Sequence, residues 1–233
     1  MDMSVKNDYV VRNTDNYFKI KDPVSALTHF AGFVLAIAAM PLLLIRGFEC
    51  SAPLSALVGF AVFGLSMTML YGASAAYHSF NYESEKLNRI LKKLDHISIF
   101  FLIAGSYTPI CLTVLKGGTG NALLIAVWGL ALAGTAFKAI WVYSPRWVSS
   151  VIYIAMGWSV LAVLSRLTQL LTGAAFWWLL AGGIFYTAGG VIYALKPQIF
   201  HNAWFGNHEL FHCFVLAGSL CHYIMMIRYI VLY

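Results

Sequence analysis

The amino-acid sequence predicts an all-α integral membrane protein in which seven transmembrane helices form one bundle. The first observation is composition: 61% of the 233 residues are hydrophobic and only 10% are charged, with a mean hydropathy of +0.76. A soluble domain carries about 25% charged residues, so lipid must surround most of this chain. The second observation is that charged residues divide the sequence into seven uncharged stretches. Each is long enough to cross a bilayer as a helix, and only a helix satisfies its own backbone there.

The stretches follow directly from the positions of the charges along the chain. In order they are 23–45, 50–82, 96–115, 117–137, 147–165, 167–195 and 210–227. The fourth opens with a glycine-rich turn sequence at 117–121, which predicts a helix from near Ala122 to about Val142. Lys138 would then lie in the last turn, with its ammonium extended to the headgroups. Paired glycines in the sixth stretch, such as Gly182 and Gly183, predict close contact with a neighbouring helix.

The basic residues predict the direction of the bundle. If the N-terminus is cytoplasmic, eleven Lys and Arg residues face the cytoplasm and four face outward. The positive-inside rule therefore favours a cytoplasmic N-terminus and an external C-terminus at Tyr233. Residues 1–22 form a short polar cytoplasmic segment without a cleavable signal, and 23–233 form a single transmembrane domain. Because the basic residues are scattered between apolar stretches, nucleic-acid binding is excluded.

A few polar side chains interrupt the spans, and ionisable groups in such positions are functional candidates. His78 ends the second span, Asp95 opens the third, and His208 and His212 open the seventh. In the predicted orientation all four lie on the cytoplasmic side. His208 and His212 are four residues apart and share a helix face, as do Ser74 and His78. Residues far apart in sequence are therefore expected to meet at one depth.

Three histidines with a free fourth position are the ligand set of a catalytic zinc ion, which polarises carbonyls and activates water. Asp95 would hold that water or take its proton. The Ser74 hydroxyl would donate a hydrogen bond to Asp95 or to a developing oxyanion. Each residue also has a plainer interpretation. The HxxxH pair could be interfacial, Asp95 could be a helix N-terminal charge, and Ser74 could bond a neighbouring helix.

The other histidines are predicted to lie outside the metal set. His222 is fourteen residues beyond His208, roughly 21 Å along a helix. His29 lies inside the first span at a suitable depth and is the main rival ligand. His96 points to a different sector of its helix from Asp95, and His201 belongs to an inner loop. For these four, packing or a hydrogen bond behind the ligands is the plainer role.

At these residues the sequence resembles the haemolysin III family, the bacterial branch of the progestin and adipoQ receptor proteins that includes the adiponectin receptors. The matching segments are Asp22-Pro-Val-Ser-Ala-Leu-Thr-His29, Ser74-Ala-Ala-Tyr-His78, Leu94-Asp95-His96 with Ala104-Gly-Ser-Tyr-Thr-Pro109, and His208-Glu-Leu-Phe-His212 with Leu216-Ala-Gly-Ser219. The resemblance implies that His78, His208 and His212 bind zinc and that Asp95 contacts it through water. The family usually has Glu and Asn where this chain has Asp22 and Ser25.

The resemblance also implies a multi-pass protein of the bacterial cell membrane and, from receptor-like relatives, ceramidase-like amide hydrolysis. The leading hypothesis is a metal-dependent hydrolase of a lipid amide or ester. The alternatives are a non-enzymatic sensor or regulator of membrane lipid state with a structural zinc, or a cytolysin with haemolytic activity. Membrane lipid is the expected substrate or ligand, and the sequence does not identify any protein partner.

Overall fold

The computed structural model describes residues 20–80, 84–197 and 205–233. These residues contain seven helical spans and no strand, which confirms the predicted fold class. The bounds of the α-helices are α1 Pro23–Glu49, α2 Leu54–Ser79, α3 Glu85–Thr113, α4 Gly117–Ile140, α5 Arg146–Gly157, α6 Leu164–Leu170, α7 Gly173–Leu195 and α8 Asn207–Arg228. The fifth span consists of α5, a 3₁₀ segment and α6; α7 and α8 are the sixth and seventh spans. The direction of the bundle relative to the cytoplasm stays a prediction.

Helix α3 begins well before the uncharged stretch that identified it. Its first residue is Glu85, and the side chain of Ser84 accepts a hydrogen bond from the Leu87 amide at the helix start. Such an N-cap satisfies one of the amides that have no partner within the helix. Asp95 therefore lies ten residues into α3, roughly 15 Å along its axis. The interpretation of Asp95 as a helix N-terminal charge is wrong.

Helix α4 differs from its prediction at both ends. It begins at Gly117, not near Ala122, and ends at Ile140. The connection from α3 covers residues 114–116, and positive φ occurs at Lys116 and at Gly117, the first residue of α4. A Cβ on Gly120 would lie 2.4 Å from the Cys111 carbonyl oxygen, so this glycine lets α4 pack closely on α3. The glycines that suggested a turn therefore form the first helical turn.

Lys138, in the last turn of α4, does not extend to the headgroups, and this expectation is wrong. Its side chain is fully buried and donates hydrogen bonds to the hydroxyls of Ser144 and Ser149. The connection between α4 and α5 folds back over the lysine and supplies both acceptors. A cation is thus held inside the bundle by hydroxyl groups.

The fifth span is irregular in its middle. Helix α5 ends at Gly157, a 3₁₀ segment covers Trp158–Val163, and α6 completes the crossing. Tyr107 of α3 satisfies the exposed backbone, because its hydroxyl donates to the Gly157 carbonyl and accepts from the Val160 amide at 2.9 Å. Non-helical backbone at membrane depth is tolerated where it is buried in protein or lines a cavity.

The packing of the helices brings distant segments to one end of the bundle. Each of α1, α2 and α3 packs on the next helix, and α8 packs on both α7 and α1. The Asp22 amide donates to the His78 carbonyl at 3.0 Å, which joins the start of α1 to the end of α2. The paired glycines contribute as predicted at Gly182, where an added Cβ would meet the His222 ring at 2.3 Å. Gly183 has open space and lines a cavity instead.

Candidate metal centre

Three imidazoles converge where the end of α2 meets the start of α8. The ring nitrogens offered by His78, His208 and His212 all lie within 4.8 Å of one another. The Nε2 atoms of His78 and His208 are 3.1 Å apart. His78 and His212 are buried, and His208 is partly buried. We call these three residues the histidine cluster.

A carboxylate and a hydroxyl lie behind the histidine cluster and orient two of its rings. Asp22 Oδ2 is 2.8 Å from Nδ1 of His78, and Thr28 Oγ1 is 3.5 Å from Nδ1 of His212. Because a carboxylate only accepts hydrogen bonds, its partner Nδ1 carries the proton and the lone pair of Nε2 faces the cluster. The hydrogen bond from His78 holds the pKa of Asp22 below its usual value, and the nearby Lys21 charge acts in the same direction.

A second contact between α1 and α8 fixes the position of His208 and His212. The Ser25 hydroxyl donates to Oε1 of Glu209 at 2.7 Å, and Oε2 of the same carboxylate accepts from the Gly206 amide at 2.9 Å. Glu209 therefore satisfies the backbone at the start of α8 while it is tied to α1. This contact places the first turn of α8, which carries both histidines, against the first helix.

The sequence did not assign roles to Asp22, Ser25, Thr28 or Glu209. A signal was available for the first three, because polar residues recur at three-residue spacing at the start of α1 and so share one face. That stripe faces α8, as the contacts of Ser25 and Thr28 show. For Glu209 the signal was weaker, since an acidic residue in the first helical turn is common at any helix start.

Asp95 and Ser74 lie beside the histidine cluster. Both are buried, and the Asp95 carboxyl interacts with the His78 ring and faces the Ser74 hydroxyl. The Ser74 oxygen makes no hydrogen bond of normal geometry in the described part of the chain. Asp95 is not among the residues whose ligand atoms lie within 4.8 Å of one another. Its carboxyl is therefore adjacent to the cluster without belonging to it.

His29 is a neighbour of the histidine cluster but not a member. Its ring stacks on that of His212, with centroids 3.5 Å apart and planes 8° from parallel. Neither of its ring nitrogens has a hydrogen-bond partner among residues 20–80, 84–197 and 205–233. It stands outside the group of converging ligand atoms. The stacking positions the His212 ring. His29, the main rival ligand, therefore supports a candidate ligand from behind.

The remaining histidines are separate from this site. His222 lies further along α8, where its Nε2 is 3.3 Å from the Leu179 carbonyl oxygen. His96 lines the neighbouring cavity and its Nδ1 has no partner in the described residues. His201 lies outside the part of the chain that the structure describes.

A long, mainly apolar cavity begins at the histidine cluster. At that end it is lined by His208, His212, Asp95 and Ser74, and at the far end by residues that include Leu123 and Leu167. The walls come from every span of the bundle. The candidate metal centre therefore lies at a polar end of the cavity, while most of the remaining lining is apolar and matches a hydrocarbon chain.

Comparison with known proteins gives one consistent result. The sequence model described as "Haemolysin-III related" matches residues 17–223. A relative named "Hemolysin-3 homolog" from Bacillus subtilis (strain 168) is 38% identical over 215 residues, 92% of this chain and 97% of the relative. "Hemolysin-3" from Bacillus cereus is 36% identical over 213 residues, 91% of this chain and 93% of the relative. "Progestin and adipoQ receptor-like protein 1" from Caenorhabditis elegans is 27% identical over 71% of this chain and 42% of its own length.

Proposed function

This chain belongs to the haemolysin III-related family of multi-pass membrane proteins, and we propose that it is a zinc-dependent hydrolase of a lipid amide or ester. One observation carries the proposal: a buried carboxyl, Asp95, lies beside three converging imidazoles at the polar end of an apolar cavity. Family membership supports the membrane location.

The donor atoms of the histidine cluster fit zinc. Nitrogen ligands lie about 2.0–2.1 Å from zinc, so neighbouring ligand atoms of a tetrahedral site are roughly 3.3 Å apart. The 3.1 Å separation of the His78 and His208 nitrogens is close to that spacing. Asp22 and Thr28 supply the hydrogen-bond partners that metal-ligating histidines normally have. When bound, zinc supplies a Lewis acid that polarises a carbonyl and lowers the pKa of water to about 7.

In this proposal Asp95 acts as the general base. It is buried, it interacts with His78, and it lies outside the set of converging ligand atoms. A carboxylate in that position accepts the proton of an attacking water and can return it to the leaving group. His78 cannot do this, because its Nδ1 proton is held by Asp22 and its Nε2 faces the cluster.

In this proposal Ser74 donates a hydrogen bond to the reacting group. Its hydroxyl is buried, lines the cavity and has no hydrogen bond of normal geometry in the described residues. A hydrogen-bond donor at a developing oxyanion stabilises the transition state more than the ground state. The Ser74 hydroxyl is therefore available to donate to the substrate oxygen or to the Asp95 carboxyl.

The cavity favours a lipid substrate over a small polar one. Leu70, Ile99 and Leu102 line the cavity next to the polar end, and apolar side chains continue to its far end. An acyl chain that enters from the bilayer therefore stays in apolar surroundings, whereas a small polar molecule would lose its hydration there. The head of the chain, where an amide or ester carbonyl lies, would then be at the histidine cluster.

A direct experiment compares the purified chain before and after removal of zinc. Release of fatty acid from a panel of lipid amides and esters is measured by mass spectrometry, first as purified, then after chelation, then after zinc is restored. We expect turnover to disappear with zinc and return with it. The relatives' printed names suggest cytolysis as the second candidate function. Leakage of dye from vesicles in the absence of any turnover would favour that alternative and contradict the hydrolase.

A further inference from the structure

A second polar cluster lies beside the cavity, where the end of α4 meets the start of α5. Lys138 Nζ is 2.8 Å from Oγ of Ser144 and also donates to Oγ of Ser149, and the two serine oxygens are 3.2 Å apart. The lysine is fully buried, and both serines are buried. We call these three residues the lysine cluster. No step of the proposed hydrolysis uses them.

The lysine cluster has more hydrogen-bond donors than acceptors to receive them. An ammonium carries three N–H groups and each hydroxyl one O–H, which gives five donors. The cluster contains three hydrogen bonds, two from Lys138 and one between the serines. Two donors are therefore left over, one on the ammonium and one on a hydroxyl. The described part of the chain shows no further acceptor for either.

The charge of Lys138 is also uncompensated. The ion pairs of the described residues join Arg46 to Glu49 and His78 to Asp22, and neither involves Lys138. A buried ammonium without a counter-ion is costly, and cations within membrane spans are normally paired or functional. A positive, donor-rich cluster requires a partner that is negative and accepts hydrogen bonds.

The lysine cluster reaches the cavity through Ser149. Ser149 lines the cavity together with its neighbour Ser150, whose buried hydroxyl has no hydrogen-bond partner among the described residues. His96 lines the same cavity. Ser149 and Ser150 would meet a ligand first, and Lys138 behind them supplies the charge.

The two polar clusters open onto one cavity. His208 and His212 of the histidine cluster line it, and so does Ser149 of the lysine cluster. Asp95 and His96, consecutive residues of α3 whose side chains point about 100° apart, line it as well. A lipid head in this space can therefore contact the histidine cluster with one group and the lysine cluster with another.

We propose that the lysine cluster binds the anionic group, a carboxylate or a phosphate, of an acyl lipid that occupies the cavity. The ligand class is an acyl chain joined through an amide or ester to a negatively charged head. The inference rests on the proposed function in that a lipid fills the cavity, but binding at the lysine cluster requires no hydrolysis.

Three probes with the same acyl chain test the inference: N-oleoylglycine carries a carboxylate, N-oleoylphosphoethanolamine a phosphate, and N-oleoylethanolamine is neutral. Their dissociation constants are measured on the full chain in phosphatidylcholine nanodiscs, in the Asp95→Asn background so that turnover does not interfere. We expect at least one anionic probe to bind about tenfold more tightly than the neutral one, as for a charge-assisted hydrogen bond. Which anion binds more tightly identifies the source of the headgroup.

The preference must depend on the buried cation. Lys138→Met keeps the length of the side chain and removes its charge, so the three probes should then bind within about twofold of one another. Lys86→Met, at an exposed lysine near the start of α3, is the matched control and should keep the preference. If Lys138→Met does not fold, Ser149→Ala should reduce the preference and Lys138→Arg should retain it.

Three results would overturn the inference. The first is equal binding of all three probes by the parent chain, and the second is a preference for an anionic probe that survives Lys138→Met. The third is an equal loss of affinity for all three probes in Lys138→Met, which would indicate that the cluster only stabilises the α4–α5 connection. Failure of the hydrolase proposal would be observed differently: the chain that retains Asp95 would show no turnover, while the binding preference for an anionic probe would remain.

Discussion

Helix α8 carries the same side chain at His212 and His222, and the two regions around them are built differently. His212 has Thr28 near one ring nitrogen, His29 stacked on its face, and two further imidazoles within 4.8 Å of its ligand atom. His222 has a backbone carbonyl near Nε2 and no partner for Nδ1 among the described residues. A candidate ligand therefore differs from an ordinary buried histidine in two respects: its ring nitrogen converges with those of other histidines, and neighbouring side chains hold its ring in position.

The largest expected difference between the two regions appears when His212 and His222 are removed in turn. We expect His212→Ala to lose nearly all bound zinc, because two imidazoles no longer form a three-ligand site. His222→Ala should keep about one zinc per chain, and it serves as the matched control on the same helix. Zinc content of the purified variants is measured by inductively coupled plasma mass spectrometry. The reverse pattern, with zinc lost from His222→Ala and kept in His212→Ala, would falsify the site.

A second prediction separates metal binding from chemistry. Asp95→Asn should keep its zinc, because the three imidazoles remain, while turnover of a lipid amide falls by about 10²–10⁴-fold, the usual contribution of a general base. Glu85→Gln, at an exposed position of the same helix, should leave both unchanged. Zinc content and turnover are measured on the same sample. Retained zinc with unaltered turnover would exclude the general-base role, and lost zinc would indicate a closed structural site.

A third prediction concerns the carboxylate behind His78. Asp22→Asn removes the charge that orients the ring and keeps its size, so zinc affinity should fall by about 10–100-fold. Competition with a chromogenic chelator measures the affinity. The same substitution at Asp95 should have a smaller effect on affinity, because that carboxyl lies outside the ligand set. Equal losses of affinity in the two variants would mean that Asp22 has no special role in orienting His78.

The smallest expected effect tests the packing around His222. A Cβ on Gly182 would lie 2.3 Å from the His222 ring, whereas Gly183 has open space around it. Gly182→Ala should therefore destabilise the bundle by about 1–3 kcal/mol through overpacking. Gly183→Ala should be neutral or slightly stabilising, since alanine favours a helix more than glycine does. Thermal unfolding in detergent compares the two variants, and equal midpoints would contradict the contact.

Hydropathy and charge made the spans predictable, and depth along the spans brought the three histidines of the cluster and Asp95 to one level. Depth is encoded locally, because each helix rises by a fixed distance per residue. The same argument placed His222 far from the cluster, but it could not separate His29 from the ligands, because the stacking of His29 on His212 depends on how the helices face one another. Small residues in the sixth span predicted a close helix contact, which occurs at Gly182 and not at Gly183.

Contacts that depend on the rotation and tilt of neighbouring helices could not be predicted in this way. The hydrogen bond from His78 to Asp22 requires the start of α1 to lie beside the end of α2, and the bond from Ser25 to Glu209 joins residues 184 positions apart. The burial of Lys138 could not be predicted from its position along the helix either. A lysine near a span end usually extends to the headgroups, and only the fold of the α4–α5 connection turns it inward.

Zinc-edge X-ray absorption of the purified chain tests directly whether the histidine cluster holds one zinc ion with an open coordination position. We predict one zinc per chain, scattering from three imidazoles with nitrogen at about 2.0–2.1 Å, and one further light atom. The spectrum of Asp95→Asn should be nearly unchanged. Two results would contradict this model of the site: absence of zinc from the purified chain, or loss of one zinc ligand in the spectrum of Asp95→Asn relative to that of the parent chain.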